Sequence, residues 1–273
     1  MASIPGDRGL AASVDDRGVA RVLVDRPARK NSMDSATSAA LIELLGGWAV
    51  DPAVRVVVIG APGRDFCTGA DLIEMATAKA SASEEEARGR AERTINTGSD
   101  IVRSIRALQV PVVAVVDGAA VGIGASIAFA ADLIYASETA YFLLAFVNIG
   151  LMPDGAATST VAAAVGRARA NELALLGERL PATQAYTDGL VTAVLPSEAL
   201  ADKADQVVDK LLAASPRALA LTKKAIDAQT MAGFELALKL ETEGQTELLQ
   251  SPEFVALIAA FAGKRKNQTV ASQ

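Results

Sequence analysis

The chain of 273 residues contains no histidine and only one cysteine. Without histidine it cannot build a Ser-His-Asp or Cys-His catalytic arrangement, and it lacks the most frequent zinc ligand. A single cysteine excludes a disulfide within the chain and a metal site made of several cysteines. Any acid–base chemistry must therefore use Asp, Glu, Tyr, Lys or Cys, and we expect no metal ion.

An excess of positive charge is also absent. The net charge is −6 at pH 7, which argues against general nucleic-acid or membrane-surface binding. The first residues show neither the basic start nor the apolar run of a signal peptide. The apolar stretch Val110–Tyr135 is interrupted by Asp117, Asp132 and glycines, which predicts buried strand, turn and helix rather than a membrane span. We expect a cytoplasmic protein with no nucleic-acid or membrane partner.

Short β-branched runs alternate with longer helical patterns, and this alternation predicts an α/β fold. The predicted strands are Val19–Val24, Val54–Ile59, Val112–Asp117, Leu133–Ala136 and Val191–Val194. The predicted helices are Ser35–Ala49, Asp100–Ala107, Gly124–Ala131, Ala168–Leu176, Glu198–Ala213, Arg217–Ala228, Gly233–Gln250 and Pro252–Lys264. The polar stretch Ala76–Arg93 predicts a solvated helix or loop, with a cover for a pocket as the alternative.

Two segments each turn a strand end into a helix start through small residues. They are RDFCTGADLIEM at Arg64–Met75 and DGAAVGIGAS at Asp117–Ser126. Exposed N–H groups at a helix start attract negative charge, so two of them aimed at one point can hold an oxygen on which negative charge develops. The alternative is that the glycines only allow close packing of helix on strand.

Ordered matches along nearly the full chain resemble the crotonase (enoyl-CoA hydratase/isomerase) superfamily. They are VDRPARKNSMD at Val24–Asp34, FCTGADL, DGAAVGIGASIAFAADLIYAS, FLLAFVNIGLMPDGAAT, VGRARANELALLGERLPATQAYTDGLVTAVLP and the tail FAGKRKNQ. The resemblance implies a spiral of ββα units over residues 1–197 and a C-terminal helical region at 198–273 that mediates trimerisation. It implies a homo-oligomer, trimer or dimer of trimers, and a coenzyme A thioester as substrate, with no separate cofactor.

The resemblance also implies roles for individual residues. The N–H groups of Ala70 and Ile123 would bind the thioester oxygen. At the two positions where hydratases of the family carry catalytic glutamates, this chain has Ser126 and Phe146. The carboxylate that remains is Asp154 in GLMPDG, where isomerases of the superfamily have an aspartate that moves protons along the acyl chain. From the pattern alone Asp154 would be a helix N-cap, and its apolar neighbours should raise its pKa.

The other candidate residues bind rather than react. Arg26, Arg29 and Lys30, with Phe261 and Lys264 from the tail of a neighbouring subunit, would contact coenzyme A, although a solvated basic cluster is the alternative. The resemblance places the following further residues at the substrate: Thr68, Gly69, Asp71, Leu72, Gly122, Ser126 and Phe146. From their local context, we expect Asp71 to stabilise its loop or helix start and Cys67 to be a small buried apolar residue.

These residues together predict an enoyl-CoA isomerase that shifts a double bond, or rearranges an enoyl thioester, through a stabilised enolate. The resemblance implies a place in fatty acid metabolism or phenylacetate degradation. Two alternatives remain open. One is a hydratase of low activity that uses another carboxylate, such as Glu74; the other is a non-catalytic acyl-CoA-binding protein.

Overall fold

The computed structural model describes residues 8–77 and 83–260, and within these ranges the strands form two sheets. The larger sheet has the order β1 (Leu10–Val14), β2 (Val19–Val24), β3 (Val56–Gly60), β4 (Val112–Val116), β6 (Leu133–Ser137), β9 (Ala193–Leu195). Its strands are parallel except β1, which pairs antiparallel with β2 at the edge. The smaller sheet has the order β5 (Ala119–Val121), β7 (Tyr141–Leu143), β8 (Leu180–Pro181).

Helices connect and cover these strands. They are α1 (Ser35–Val50), α2 (Leu72–Thr77), α3 (Glu84–Ala107), α4 (Ile123–Phe129), α5 (Ala157–Leu176), α6 (Ala182–Thr187), α7 (Leu200–Ala213), α8 (Pro216–Thr230) and α9 (Phe234–Leu248). Residues 252–260 are also helical. The mixed α/β class expected from the sequence is confirmed.

The central strands β3, β4 and β6 of the larger sheet are buried on both faces, which explains their runs of consecutive apolar residues. All five residues of β3 are buried. One face packs into the main core, to which α1, α3, α4 and α5 contribute. On the opposite face, Val19, Val56 and Val113 pack with Val208 of α7 in a second, smaller core. Each such valine contributes about 1.5–3 kcal/mol by leaving water.

The predicted strand Val19–Val24 agrees with β2 at both ends, and the other predicted strands agree within about two residues. Helix α3 begins at Glu84, whereas the sequence predicted a helix only from Asp100. The prediction was too short because the first half of the helix buries only Ala91, Ile95 and Ser99, about one residue a turn. Such a narrow apolar stripe is weak evidence for a helix in a sequence. The Ser83 hydroxyl caps this helix by accepting the N–H of Glu86 at 3.2 Å.

Other differences have equally local causes. Helix α5 begins at Ala157 rather than Ala168, and it is interrupted at Gly166, whose backbone (φ 75, ψ 165) is not helical. That break hides the first half of the helix from a periodic pattern. Strands β5, β7 and β8 were not predicted, because each has only two or three residues.

The C-terminal region packs into the same cores as the rest of the chain. Helix α7 covers the back of the larger sheet, and Leu238, Phe254 and Ile258 lie in the main core. The predicted boundary at residue 198 therefore marks a change from strands to helices within one packed unit, and the trimerising role of the region stays a prediction. The predicted helix Pro252–Lys264 is helical as far as residue 260, and its last residues lie outside the described ranges.

Two possible features are absent from the described ranges. Residues 8–77 and 83–260 contain no helix with the length and apolar character needed to cross a membrane. They also contain no group of three or more Cys, Asp or Glu side chains placed to hold a metal ion.

A cluster of half-buried charges joins α8 to the end of α3. The Asp132 carboxylate contacts Arg106 at 3.0 Å and Lys223 at 2.7 Å, and it accepts the N–H of Val112 at 2.8 Å. Arg106 also pairs with Asp227 of α8. Burial lowers the pKa of Lys223, and the nearby Asp132 opposes that effect. Asp132 therefore compensates two cations that are largely removed from water.

Replacing Asp132 by alanine should lower the free energy of unfolding by about 1–3 kcal/mol, because the half-buried Arg106 and Lys223 lose an anion while Arg106 keeps Asp227. Urea unfolding followed by circular dichroism measures the change. The control is Asp205→Ala, which removes the exposed ion pair with Arg21 (2.6 Å, Asp205 side chain 61% exposed) and should cost less than about 1 kcal/mol. Equal losses for the two variants would contradict a structural role for the buried cluster.

Candidate active site

The first glycine-rich turn is bonded to the loop that precedes α1. The N–H of Met33 donates to the carbonyl of Gly69 at 2.8 Å, and the N–H of Asp71 donates to the carbonyl of Met33 at 2.8 Å. Because these bonds use the peptide groups on either side of Ala70, the N–H of Ala70 points away from Met33. Among residues 8–77 and 83–260, none accepts a hydrogen bond from that N–H.

The short strand β5 connects this turn to the second one. On one edge, Cys67 donates its N–H to Ala119 at 2.9 Å and accepts the N–H of Val121 at 2.9 Å. On the other edge, β5 pairs in parallel with β7, and the N–H of Gly122 donates to Leu143 at 2.8 Å. Both turns are thus attached to the same three-residue strand.

The two turns touch at their glycines. A Cβ atom on Gly69 would lie 2.9 Å from the carbonyl oxygen of Val121, and a Cβ atom on Gly122 would lie 3.9 Å from the Cα of Gly69. Both glycines also have positive φ, 91° and 56°, which other residues rarely adopt. Ala70 and Ile123 each follow one of these glycines, and Ile123 is the first residue of α4. The structure therefore brings the two predicted donors together, with the positive end of α4 at Ile123.

Asp154 lies beside the first turn of α4. Its residue is 9% exposed, and a Cβ atom on the adjacent Gly155 would lie 2.6 Å from Cδ1 of Ile123. Its Oδ2 accepts a hydrogen bond from Nε2 of Gln245 at 3.3 Å, while Oδ1 is buried without a partner in the described part of the chain. Burial raises the pKa of Asp154 to about 8; the charge of Glu241 adds to the rise, and the Gln245 hydrogen bond opposes it. This is the direction that the sequence predicted.

Asp154 is not the helix cap that its pattern suggested, so that alternative is wrong. Helix α5 begins at Ala157, and its N-cap residue Ala156 has φ 57° and no capping side chain of its own. The capping group comes from Glu241 of α9, whose carboxylate accepts the N–H groups of Ala156 (2.7 Å) and Thr158 (3.0 Å). The Asp154 carboxylate is therefore not committed to the helix start.

The two positions that lack glutamate carry side chains with structural contacts. Ser126 is fully buried, and its hydroxyl donates to the main-chain carbonyl of Asp154 at 2.8 Å. Phe146 is buried against the second turn, where a Cβ atom on Gly122 would lie 3.8 Å from its ring. Neither side chain can act as a general base, because the chain contains no histidine that could activate Ser126.

Arg26 has internal partners. Its guanidinium contacts the carboxylates of Asp34 at 2.6 Å and Asp71 at 3.3 Å. Asp34 caps α1 by accepting the N–H of Thr37, and Asp71 accepts the N–H of Ile73 at 3.1 Å at the start of α2. Asp71 thus stabilises a helix start, as expected. These contacts make Arg26 a link between two loops rather than an open contact for phosphate.

The remaining predicted residues surround the same turn. Arg29 and Lys30 are exposed, and the carbonyl of Lys30 accepts the hydroxyl of Thr68 at 3.0 Å. Leu72 is half-buried at the start of α2. Phe261 and Lys264 lie outside the described ranges. Among the described candidates, Arg29 and Lys30 therefore keep exposed cationic side chains, and their contact with coenzyme A stays a prediction.

The surroundings of two other candidates favour structural roles. The carboxylate of Glu74 accepts the N–H of Ser35 at the start of α1, at 3.0 Å. Cys67 is buried, and burial raises the pKa of its thiol to about 12. A thiol in that state does not ionise near neutral pH and is a poor nucleophile.

Sequence reasoning did not find Glu241 and Gln245, both fully buried on α9. The available signal was their spacing. They lie four residues apart and continue the stripe of Ala237 and Leu238, so they occupy core-facing positions of an amphipathic helix. A Glu and a Gln on such a stripe indicate buried hydrogen bonds, but the sequence does not say to which residues.

Comparison with known proteins identifies the family. The family model described as Enoyl-CoA hydratase/isomerase matches residues 15–269. The 1,2-epoxyphenylacetyl-CoA isomerase of Escherichia coli (strain K12) is 33% identical over 253 residues, covering 93% of this chain and 95% of that protein. The 2,3-dehydroadipyl-CoA hydratase of the same strain is 31% identical over 242 residues, covering 89% and 91%.

A solved structure extends the likeness to the fold. An enoyl-CoA hydratase from Mycobacterium avium subsp. paratuberculosis K-10 superimposes with a TM-score of 0.84 at 42% identity, covering 95% of this chain and 100% of that one. The chain therefore belongs to the enoyl-CoA hydratase/isomerase family and is an enzyme with the crotonase fold. An acyl-CoA thioester as substrate is consistent with this family. Both isomerases and hydratases occur among the relatives, so the residues of the site must distinguish the two reactions.

The burial of Cys67 predicts that the folded protein resists thiol reagents. Because the chain has one cysteine, an aromatic disulfide reagent should label one equivalent in the urea-unfolded protein and almost none in the native protein over the same time. The released thiolate is followed by its absorbance. Rapid labelling of the native protein at pH 7 would contradict the buried position of the Cys67 turn.

Proposed function

We propose that the protein is an enoyl-CoA isomerase that moves a double bond along the acyl chain of a coenzyme A thioester. The N–H groups of Ala70 and Ile123 bind the thioester oxygen, and Asp154 transfers the proton. The observation that carries the proposal is the position of Asp154: the residue precedes Gly155, which packs against the first turn of α4, and its buried carboxyl keeps one oxygen unpaired among the described residues.

The other buried acids are engaged. Asp71 is paired with Arg26 and accepts N–H groups of α2. Glu241 accepts two N–H groups and the hydroxyl of Thr158 at the start of α5. Among the described residues, Asp154 is therefore the buried carboxyl with capacity left for a substrate proton, which supports its choice as the acid–base group.

The reaction conserves all atoms. For a 3-enoyl thioester, the Asp154 carboxylate takes a proton from the α-carbon, and the electron pair moves toward the thioester oxygen as the dienolate forms. The two N–H groups stabilise the negative oxygen. The protonated Asp154 then returns the proton to the γ-carbon, which leaves the double bond between the α- and β-carbons. One carboxyl group is sufficient for both transfers.

Hydration of an enoyl thioester would require more acid–base groups than isomerisation does. It needs a base for the attacking water and a proton donor for the α-carbon, and the two positions that carry glutamates in hydratases of the family are Ser126 and Phe146 here. Glu74, the carboxylate considered for a weak hydratase, is bonded to the start of α1. The site therefore favours isomerisation over hydration.

Replacing Asp154 by asparagine should reduce kcat for isomerisation of a 3-enoyl-CoA by about 10²–10⁴-fold, because the proton carrier is lost while the amide keeps the size of the side chain. Formation of the conjugated 2-enoyl thioester, followed by its ultraviolet absorbance, measures the rate. Asp205→Asn, an exposed replacement of the same type, should match the wild type.

The wild type and Asp154→Asn also distinguish isomerisation from the alternative functions. Incubation with an enoyl-CoA in deuterated water should give exchange at the α- and γ-carbons with wild type and almost none with Asp154→Asn. Binding without exchange in the wild type would indicate a non-catalytic acyl-CoA-binding protein. Rapid hydration of crotonyl-CoA, or unchanged isomerisation by Asp154→Asn, would contradict the proposal.

The raised pKa of Asp154 predicts a specific pH dependence. The free enzyme must carry the carboxylate to accept the α-proton, so kcat/KM should rise about tenfold per pH unit below a midpoint near 8 and level off above it. An ordinary aspartate would place that midpoint near 4. Initial rates between pH 6 and 9.5 at constant ionic strength measure it, and a flat profile across this range would contradict the assignment of Asp154.

A further inference from the structure

Helix α9 carries two buried polar side chains close to Asp154. Glu241 and Gln245 are both fully buried and lie one helical turn apart on the same face. A buried carboxylate and a buried amide are costly unless other groups compensate them. Their partners therefore indicate why α9 carries them.

Glu241 fixes the chain immediately after Asp154. Its two oxygens accept the N–H of Ala156 at 2.7 Å and the N–H and hydroxyl of Thr158 at 3.0 and 2.5 Å. Ala156 has φ 57°, a left-handed conformation that is unfavourable for alanine. The carboxylate thus stabilises a strained turn and the positive end of α5. No cation in the described part of the chain forms an ion pair with it.

Gln245 contacts the segment on the other side of Gly155. Its Nε2 donates to the carbonyl of Met152 at 2.5 Å and to Oδ2 of Asp154 at 3.3 Å. Oε1 of Gln245 and Oδ1 of Asp154 are both buried without partners among the described residues. Because Oδ1 of Asp154 has no partner among these residues, it can exchange a proton without first breaking a hydrogen bond.

The other elements packed against Asp154 bring no charge to it. From α4, the hydroxyl of Ser126 donates to the main-chain carbonyl of Asp154, and around the adjacent Gly155 the nearest groups are the uncharged side chains of Ile123, Ser126 and Val102. The charged group that acts on Asp154 in the described structure is Glu241. Burial raises the pKa of Glu241, and the hydrogen bonds from Thr158 and Ala156 oppose that rise. Those three donors favour Glu241 as the ionised member of the pair.

We propose that Glu241 and Gln245 are positioning residues for Asp154 that act on its proton in opposite senses. Glu241 holds the turn, and its negative charge disfavours a second carboxylate nearby. Gln245 donates to Asp154 Oδ2 and favours the carboxylate form. This inference rests on the proposed function of Asp154, and it assigns to the C-terminal helix α9 a part of the site that neither glycine-rich turn supplies.

The test uses the full chain with three substitutions on α9. Glu241→Gln removes the charge at nearly constant volume, Gln245→Met removes the amide at nearly constant volume, and Glu243→Gln is the control on the exposed side of the same helix. The titration of Asp154 is read from carbon-13 NMR of protein labelled at the aspartate carboxyl. The resonance that disappears in Asp154→Asn identifies it.

In the wild type the Asp154 midpoint should lie near 8. Glu241→Gln should lower it by about one pH unit or more, because a like charge is removed while burial remains. Gln245→Met should raise it, because a donor to the carboxylate is lost. Glu243→Gln should leave it unchanged. The acidic limb of the kcat/KM profile should move in the same directions, whereas a purely structural defect would lower the plateau without moving the limb.

The outcomes separate this inference from the proposed function. An Asp154 midpoint that is the same in Glu241→Gln and Glu243→Gln would overturn the role of Glu241, whatever the activity. If Glu241→Gln does not fold, an Asp154 midpoint that fails to rise in Gln245→Met would overturn the positioning role proposed for the two residues. Shifted midpoints together with full isomerase activity of Asp154→Asn would instead refute the proposed function and leave the positioning of Asp154 intact.

Discussion

The site depends on the hydrogen bonds that strand β5 makes on both of its edges. One edge bonds the turn that contains Cys67, and the other bonds β7, so the two glycine-rich turns cannot move independently. Because Gly69 and Gly122 are in contact, any displacement of one turn would be transmitted to the other. Backbone groups held in this way need no reorganisation when negative charge develops on a bound oxygen, which is the condition for strong electrostatic stabilisation.

Three buried carboxyl groups illustrate how local surroundings assign different roles to the same chemistry. Asp71 has a guanidinium and the start of a helix beside it, and Glu241 has the start of another helix. Asp154 has one amide donor at 3.3 Å and an anion in its neighbourhood. The first two are suited to remain carboxylates that hold structure, whereas Asp154 is suited to exchange a proton near neutral pH.

Much of this arrangement could be predicted from the sequence, where the information was local or carried by the family resemblance. The α/β class follows from the alternation of β-branched and helical runs, and the contact between the two turns agrees with their glycines. The strands of the smaller sheet could not be predicted, because two or three residues carry no periodic signal. The role of Arg26 was also hidden, since its partners Asp34 and Asp71 become neighbours only when two loops pair.

The contacts of Glu241 show most clearly that long-range contacts cannot be predicted from local sequence patterns. It lies 83 residues after Thr158 and 85 residues after Ala156, so no local pattern could connect it with the start of α5. The N-cap alternative at Asp154 failed for the same reason: the sequence around it fits a capping residue, but a carboxylate from a distant helix accepts those N–H groups. Because Glu241 accepts the N–H groups at the start of α5, the Asp154 carboxyl does not have the capping role that its own segment suggests.

The central claim is that two main-chain donors share one oxygen while Asp154 faces the carbons that exchange protons. A crystal structure with a non-isomerisable acyl-CoA tests it most directly. We expect the thioester oxygen to lie about 2.7–3.1 Å from the nitrogens of both Ala70 and Ile123. We also expect an Asp154 carboxylate oxygen about 3–3.5 Å from the α-carbon. A thioester oxygen bonded to only one of those nitrogens, or an Asp154 carboxylate directed away from the acyl chain, would contradict it.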